Sequence, residues 1–191
     1  MNQKHLLAIS GSPHSNGHTA KMLTAALDAA KKQGYTVSEL NLYQLQLAPC
    51  KGCLGCSSAK KCVIADDIGI ITDAIRQADL ILLAAPVYWA NVPAVVKNMF
   101  DRLFGTAIEE TATFPKGLFP GKKYMFFTSC HTPAPFCRIF GQSSGAIHSV
   151  DEFFKTAGMK CAGHFVWANT KKSSELPKKL EKKIKRRFLK L

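Results

Sequence analysis

Apolar and polar positions change period five times along the 191-residue chain. HLLAIS (5–10) is a short apolar run that stops at Gly11, as a buried strand does. From Gly17 to Lys32 the apolar positions Ala20, Leu23, Ala26, Leu27 and Ala30 recur every three or four residues, which predicts a helix. YTVSELNL (35–42) alternates as a strand, and DDIGIITDAIRQA (66–78) reads as a helix with two acidic residues at its positive end. DLILLAAP (79–86) is apolar throughout, a strand buried on both faces, and PAVVKNMFDRLF (93–104) is a helix opened by proline. KYMFFTSC (123–130) and KCAGHFVWA (160–168) add two strands. VDEFFKTAG (150–158) is a helix closed by glycine, and ELPKKLEKKIKRRFLKL (175–191) a final basic one. Strands alternating with helices imply a parallel sheet covered on both sides, an α/β doubly wound fold. Ligands of such sheets bind beyond the carboxyl ends of the strands, where strand order reverses. The loops after the first, third and fourth strands are therefore the ones to inspect. Two further segments, 44–65 and 105–122, exceed an ordinary connection, and long loops in compact domains are usually functional.

Composition narrows the class. An apolar share of 47% and nine prolines fit a globular chain, and the length is that of one domain, 1–191. The N-terminus has about six apolar residues before Gly11 and Pro13, short of the roughly 7–15 of a secretory signal. The longest apolar stretch, Leu80–Val96, is interrupted by Pro86, Asn91 and Pro93, and is shorter than the roughly 20 residues of a membrane span. The expectation is a cytoplasmic protein without a membrane span. Its net charge of +13 is uneven: ten basic residues from Lys171 onward face only Glu175 and Glu181, more than half of the net charge. Leu176, Leu180, Ile184 and Phe188 recur every four residues there, so 171–191 reads as a last helix buried along that stripe. Its charge would also suit an acidic redox partner; no nucleic-acid motif accompanies it.

The first loop, SGSPHSNGHT (Ser10–Thr19), is rich in donors. It is not a Walker loop, because five residues separate Gly11 from Gly17 and His18 stands where lysine would. Hydroxyls of Ser10, Ser12, Ser15 and Thr19, the amide of Asn16 and free N–H groups at a helix start suit one phosphate monoester. The second, PVYWANVP (86–93), offers Pro86, Val87, Tyr88, Trp89 and Asn91: rigid, flat apolar surface for a planar heterocycle. The third, TSCHTPAP (128–135), brings Ser129, Cys130 and His131. A ligand with a phosphate at one end and a flat ring at the other fits flavin mononucleotide (FMN) better than a dinucleotide.

Seven cysteines stand at 50, 53, 56, 62, 130, 137 and 161. Reduced thiols clustered in a cytosolic chain point to metal or redox work rather than disulfides. Cys50, Cys53, Cys56 and Cys62 have the spacing C-x2-C-x2-C-x5-C. Zinc usually takes two ligand pairs set further apart, whereas three thiols in steps of three match the cubane-binding run of bacterial ferredoxins. A [4Fe–4S] cluster, zinc or another metal, and no metal all stay open on spacing alone. Lys51, Lys60 and Lys61 would offset the negative charge of a cluster. Cys130, Cys137 and Cys161 read as core or loop thiols, with Cys130 near the ligand ring. His5, His131, His148 and His164 lie on separate elements, with no HExxH and no His/Cys pair spaced for a second metal; His131 alone adjoins a ligand loop.

GSPHSNGHT, the cysteine loop with CVIADD, ADLILLAAPVYWANVPAVVKNMFDR and TSCHTPAP together resemble the NAD(P)H-dependent FMN reductase superfamily of flavodoxin-like proteins, over about 5–135. The resemblance implies a five-stranded sheet in the order 2-1-3-4-5 and FMN held non-covalently by Ser10–Thr19, including His14, Gly17 and His18, and by the second and third loops. It also implies a homodimer or tetramer with another subunit near the flavin. Family loops often read GSPR where this chain has His14, which removes one phosphate-binding charge. The four cysteines look like those of the iron–sulfur flavoprotein branch, where a [4Fe–4S] cluster passes electrons from a ferredoxin-like donor to FMN. The implied activity is an oxidoreductase taking electrons from NAD(P)H or such a donor to a small acceptor, with no side chain required as acid or base. A cluster-bearing carrier and a non-enzymatic binding module with a basic tail are the alternatives.

Overall fold

The computed structural model describes residues 3–191. In chain order the elements are β1 (His5–Ser10), α1 (His18–Lys32), β2 (Thr36–Asn41), a 3-10 turn (Leu42–Gln44), α2 (Gly55–Ala59), α3 (Ile68–Gln77), β3 (Leu80–Ala84), α4 (Ala94–Arg102), α5 (Phe104–Ala107), β4 (Ile108–Glu109), β5 (Lys116–Gly117), β6 (Lys123–Ser129), α6 (Phe136–Ile139), α7 (Gln142–Thr156), β7 (Lys160–Trp167) and α8 (Lys178–Phe188). The main sheet runs β2-β1-β3-β6-β7, and all four pairings are parallel. Counted along this sheet the order is 2-1-3-4-5, as expected.

Side chains alternate across the sheet and divide the core in two. Leu7, Ile9, Ile81, Leu83, Tyr124 and Phe126 face α3, α4 and α7, packing on Ile71, Met99 and Phe154. Leu6, Ala8, Leu80, Leu82, Met125 and Phe127 face α1 and α8, packing on Met22, Ala26, Ile184 and Phe188. The stripe of the basic tail is thus buried, and its cations are the solvated remainder.

Three segments differ from the sequence reading. The helix before β7 starts at Gln142, eight residues earlier than expected. Its first half, QSSGAIHS, lacks an apolar repeat because it packs through small residues: Ser143 is buried and donates to the Cys137 carbonyl at 3.3 Å. A Cβ on Gly145 would lie 2.1 Å from the Ala90 carbonyl oxygen, so only glycine lets α7 reach the second loop. The span 105–122, read as a loop longer than an ordinary connection, holds most of α5 and the short antiparallel pair β4·β5. The cysteine loop contains its own helical turn, α2, entered and left through Leu54 and Lys60 at φ of 55° and 53°.

Candidate functional site

The register sets Ser10 beside Ala84 and Ala84 beside Phe127, so the three loops leave adjacent strand ends. They are also tied to one another: Gly11 N–H donates to the Ala84 carbonyl at 2.8 Å, and Val87 N–H to that of Ser129 at 3.0 Å. A Cβ on Gly11 would stand 2.3 Å from Val96 Cγ2, so glycine lets the first loop lie against α4.

In that loop Ser12 and Thr19 are buried, while His14, Ser15 and Asn16 are exposed. Ser12 Oγ accepts from His14 N–H at 3.3 Å, which leaves its own O–H to donate. Gly17 caps the fifteen-residue α1 and offers no side-chain acceptor to the first-turn amides, so these donors can serve an anion. His18 turns from the loop mouth: its ring meets Trp167 edge-on at 4.5 Å, and Nε2 lies 3.1 Å from the Ser173 carbonyl.

Residues 88–91 form a tight turn in which Tyr88 and Asn91 exchange backbone hydrogen bonds at 2.8 and 3.0 Å. Trp89 and Ala90 occupy its centre at φ of 52° and 59°, the positive-φ pair of a hairpin turn that usually takes Asn-Gly. Trp89 is wholly exposed, at 101%. A fully displayed aromatic on a strained turn is costly to keep, and a planar ligand gives it a use. Pro86 and Val87 are half-buried behind it. In the third loop His131 is exposed and its Nδ1 lies 2.9 Å from Thr170 Oγ1. Cys130 points inward: Sγ contacts the Thr132 carbonyl at 3.6 Å, and burial, with Cys137 beside it, pushes the thiol up to about 12.

The four clustered cysteines border one space, but their sulfurs are not gathered at a point: among the described residues, Asp151, Cys161 and His164 are the group that brings three candidate ligand atoms within 4.8 Å of one another. Cys50, Cys53, Cys56 and Cys62 line one cavity of about 780 Å³, whose other wall is α4 and α7 with Phe100, Phe153 and His148. Asn91 of the second loop borders the same cavity, so that end of the 88–91 turn and the thiols share one space. A set of four thiols opening on it fits a four-thiolate metal group. A Cβ on Gly105 would fall 2.3 Å from the Cys56 carbonyl oxygen, so α5 supports the loop by direct backbone approach.

The loop is held from beneath by residues that spacing did not single out. Asn98 and Arg102 stand four apart on α4 and so share a face. Asn98 Oδ1 accepts from Cys50 N–H at 3.1 Å, and Nδ2 donates to the carbonyls of Leu47 and Ala48 at 3.2 Å. Arg102 is 1% exposed. Its guanidinium grips Asp66 through two bonds of 2.7 and 2.8 Å, donates to the carbonyls of Ala48 and Ile64, and reaches Cys62 Sγ from Nε at 3.1 Å. The Arg102 bond holds the Asp66 carboxyl below its usual range despite burial, helped by the Ala48 and Ile68 amides. A charged residue inside an amphipathic helix reads as solvated, so only the run CVIADD, with its second charge, could have hinted at a buried partner.

The sequence reading is corrected on one further point. A His/Cys pair does exist away from the cysteine loop: Cys161 Sγ lies 3.3 Å from His164 Nε2.

A family model described as the flavodoxin-like fold matches residues 4–188. An iron–sulfur flavoprotein of Methanosarcina thermophila is 41% identical over 97 residues, 51% of this chain and 51% of that protein. The chain spans about half the length of this and a second iron–sulfur flavoprotein relative, from Methanocaldococcus jannaschii. Among solved structures, the NAD(P)H:quinone oxidoreductase from Methanothermobacter marburgensis superposes with a TM-score of 0.76 at 15% identity, over 98% of this chain and 96% of that one. The FMN-dependent NADH-azoreductase from Bacillus anthracis str. Ames Ancestor, in complex with FMN, gives 0.74 at 13%, over 98% of both chains. At such identities these two likenesses show the fold alone. The chain belongs to the family of the flavodoxin-like fold.

Proposed function

We propose that this chain is an FMN-dependent oxidoreductase whose cysteine loop holds a [4Fe–4S] cluster, and that it passes electrons from NAD(P)H or a ferredoxin-like donor to a small acceptor. Ser10, Ser12, Ser15, Asn16 and Thr19 with the first-turn amides of α1 would hold the FMN phosphate, with His14 and Gly17 at its rim. Pro86–Asn91 and Ser129–His131 would flank the ring. Bound FMN supplies both two-electron and one-electron chemistry, and the protein contributes position and electrostatics. Cys50, Cys53, Cys56 and Cys62 would ligate the cluster, and the buried Arg102 cation beside Cys62 would offset its negative charge.

The observation that supports this reading is the shared cavity: the four thiols and Asn91 of the second loop border one space. The iron–sulfur flavoprotein similarity supports it. Anaerobic purification followed by an absorption spectrum and iron and sulfide analysis tests it. Flavin bands with equal iron and sulfide are expected. A colourless protein that shows no saturable binding of added FMN would overturn the reading altogether.

Flavin bands without iron would favour a second reading, which the cavity itself motivates. Phe100, Phe104, Phe153 and Ile108 give it flat apolar walls, suited to a small aromatic or quinone-like acceptor in a cluster-free reductase. Either form would act as a homodimer or tetramer. Ile139 and Phe140 stand 67% and 69% exposed beside the third loop, and another subunit would cover them there. Among the described residues no helix is long and apolar enough to cross a membrane.

A further inference from the structure

β7 is the outermost strand of the sheet, and it carries a group of side chains that the flavin reading leaves unused. Its register against β6 skips a residue: Tyr124 pairs with Cys161, yet Met125 pairs with Gly163. In a regular strand, residues three apart point to opposite faces. A bulge adds one residue and changes that parity. Ala162, Phe165 and Trp167 therefore enter the core beneath α1 and α8, while Cys161 and His164 both turn toward α7.

There they meet Asp151. His164 Nε2 lies 3.3 Å from Cys161 Sγ and 2.7 Å from Asp151 Oδ1. Asp151 also accepts from the Tyr124 hydroxyl at 2.6 Å and from Lys155 Nζ at 2.8 Å. Sulfur, nitrogen and carboxylate oxygen within 4.8 Å of one another could be three metal ligands. The spacing decides otherwise: two ligands 2.0–2.2 Å from a tetrahedral zinc stand about 3.4 Å apart, and 2.7 Å is a hydrogen-bond length. A His164 Nε2–H within reach of both the sulfur and the carboxylate can stabilise a thiolate at Cys161 when the imidazole is protonated. The electrostatics agree. Burial raises the Cys161 thiol, but the His164 bond and charge, the Gly163 N–H and the Tyr124 hydroxyl outweigh it, and the thiol titrates below an ordinary cysteine. His164 is raised in turn, by Cys161 first and then by Asp151, against burial.

Cys161 and His164 also line a groove of about 740 Å³ between β7 and α8. Its α8 wall presents Lys179, Lys182, Lys183, Arg186, Arg187 and Lys190, and among the described residues no carboxylate lines it. Arg187 Nε is buried there without a hydrogen-bond acceptor, close above the bulge at Gly163. Because β7 is the sheet edge, a ligand held by the α8 cations reaches the exposed Cys161 around that edge, and a nucleophilic sulfur beside a cationic groove selects for anionic, sulfur-reactive ligands.

We propose that Cys161 is a thiol–disulfide exchange site for a small disulfide bearing carboxylates, which the α8 cations hold in this groove. Cys161 Sγ attacks one sulfur of the disulfide and forms a new S–S bond as the old one breaks. The departing thiolate leaves with the electron pair and takes the proton from His164. Cys161 is oxidised to the mixed disulfide and the ligand is reduced by one thiol equivalent; a free thiol of the same class reverses the step.

The test uses the whole reduced protein with its cofactors, mixed with glutathione disulfide, which is anionic, or cystamine, which is dicationic. Adduct at Cys161 is followed by mass spectrometry of tryptic peptides, since six other cysteines are present. Rates are divided by those of an unstructured peptide containing the same cysteine. The anionic probe is expected to gain about tenfold or more over the cationic one. Lys179→Gln/Lys182→Gln/Arg186→Gln, on the solvated side of α8, should erase most of that preference. His164→Gln should slow both probes by about tenfold. Adduct formation at Cys161 no faster than in the peptide, or a preference unchanged in the triple variant, would overturn the proposal.

Discussion

Arg102 shows how one side chain can decide whether a functional loop has a shape. It is a cation with no exposed side-chain surface, paired with an Asp66 side chain that is 10% exposed. Such a pair gives little net stability over apolar residues, but removing one partner strands the other charge. Arg102→Leu should therefore cost about 3–5 kcal/mol, measured by urea unfolding at neutral pH. A loss below 1 kcal/mol would mean that Asp66 finds water or another donor. The same pair sets an acid limit. Because the Asp66 carboxyl is lowered in the fold, chiefly by the Arg102 hydrogen bond, its contribution is present above the ordinary value of 3.8 and is lost as pH falls through the folded value. Unfolding free energy should drop steeply below about pH 4, and Asp66→Asn should flatten that acid limb while lowering stability at neutral pH. Ala90 makes the opposite case. Its φ of 59° is expensive for a side chain with Cβ, so Ala90→Gly should raise stability by about 0.5–1 kcal/mol. A thermal melt that does not rise would show the turn to be relaxed as it stands.

At the level of elements, α4 is the strut on which the site depends. It starts just after the 88–91 turn, meets Gly11 of the first loop through Val96, and holds the cysteine loop through Asn98 and Arg102. Its opening proline and the run that follows made the helix legible in the sequence, whereas the anchoring role of Asn98 and Arg102 was not, because periodicity says nothing about which loop will fold over a helix. α7 shows the reverse limit: a helix that packs through Ser143, Gly145 and Ala146 leaves no apolar rhythm, so only its second half was legible. α8 was read correctly because its two faces are so unlike. Ile184 is fully buried between α1 and β7, and Ile184→Ala should cost about 2–4 kcal/mol. Lys182→Gln on the solvated face should stay within about 0.5 kcal/mol. Equal effects of the two in parallel denaturant titrations would contradict the assignment of faces.

Across the whole molecule, a parallel sheet covered on both faces follows from the alternation of strand and helix, and the order 2-1-3-4-5 was implied by the family resemblance, so both were legible without coordinates. The Cys161–His164 pair was not, because three residues apart on a strand means opposite faces unless a bulge intervenes, and nothing in KCAGHFVW marks the extra residue. The same separation between what topology provides and what local anchoring adds yields the last prediction. The Ser10–Thr19 loop, proposed to hold the phosphate, is built on β1 and α1 and tied to β3. The cysteine loop is anchored instead through Asp66, Asn98 and Arg102, and none of those bonds passes through Ser10–Thr19. Both loops rest against α4, but their hydrogen-bonded anchors are separate, so emptying one site should spare the other. Cys53 is exposed at the top of its loop, and Cys53→Ala removes one sulfur while leaving every anchor in place. Iron and cluster absorption should disappear from the anaerobically purified variant, with FMN content and affinity unchanged within about twofold, a difference of roughly 0.4 kcal/mol. Loss of FMN together with the iron would show that the cysteine loop forms part of the flavin pocket itself, with α4 transmitting its collapse.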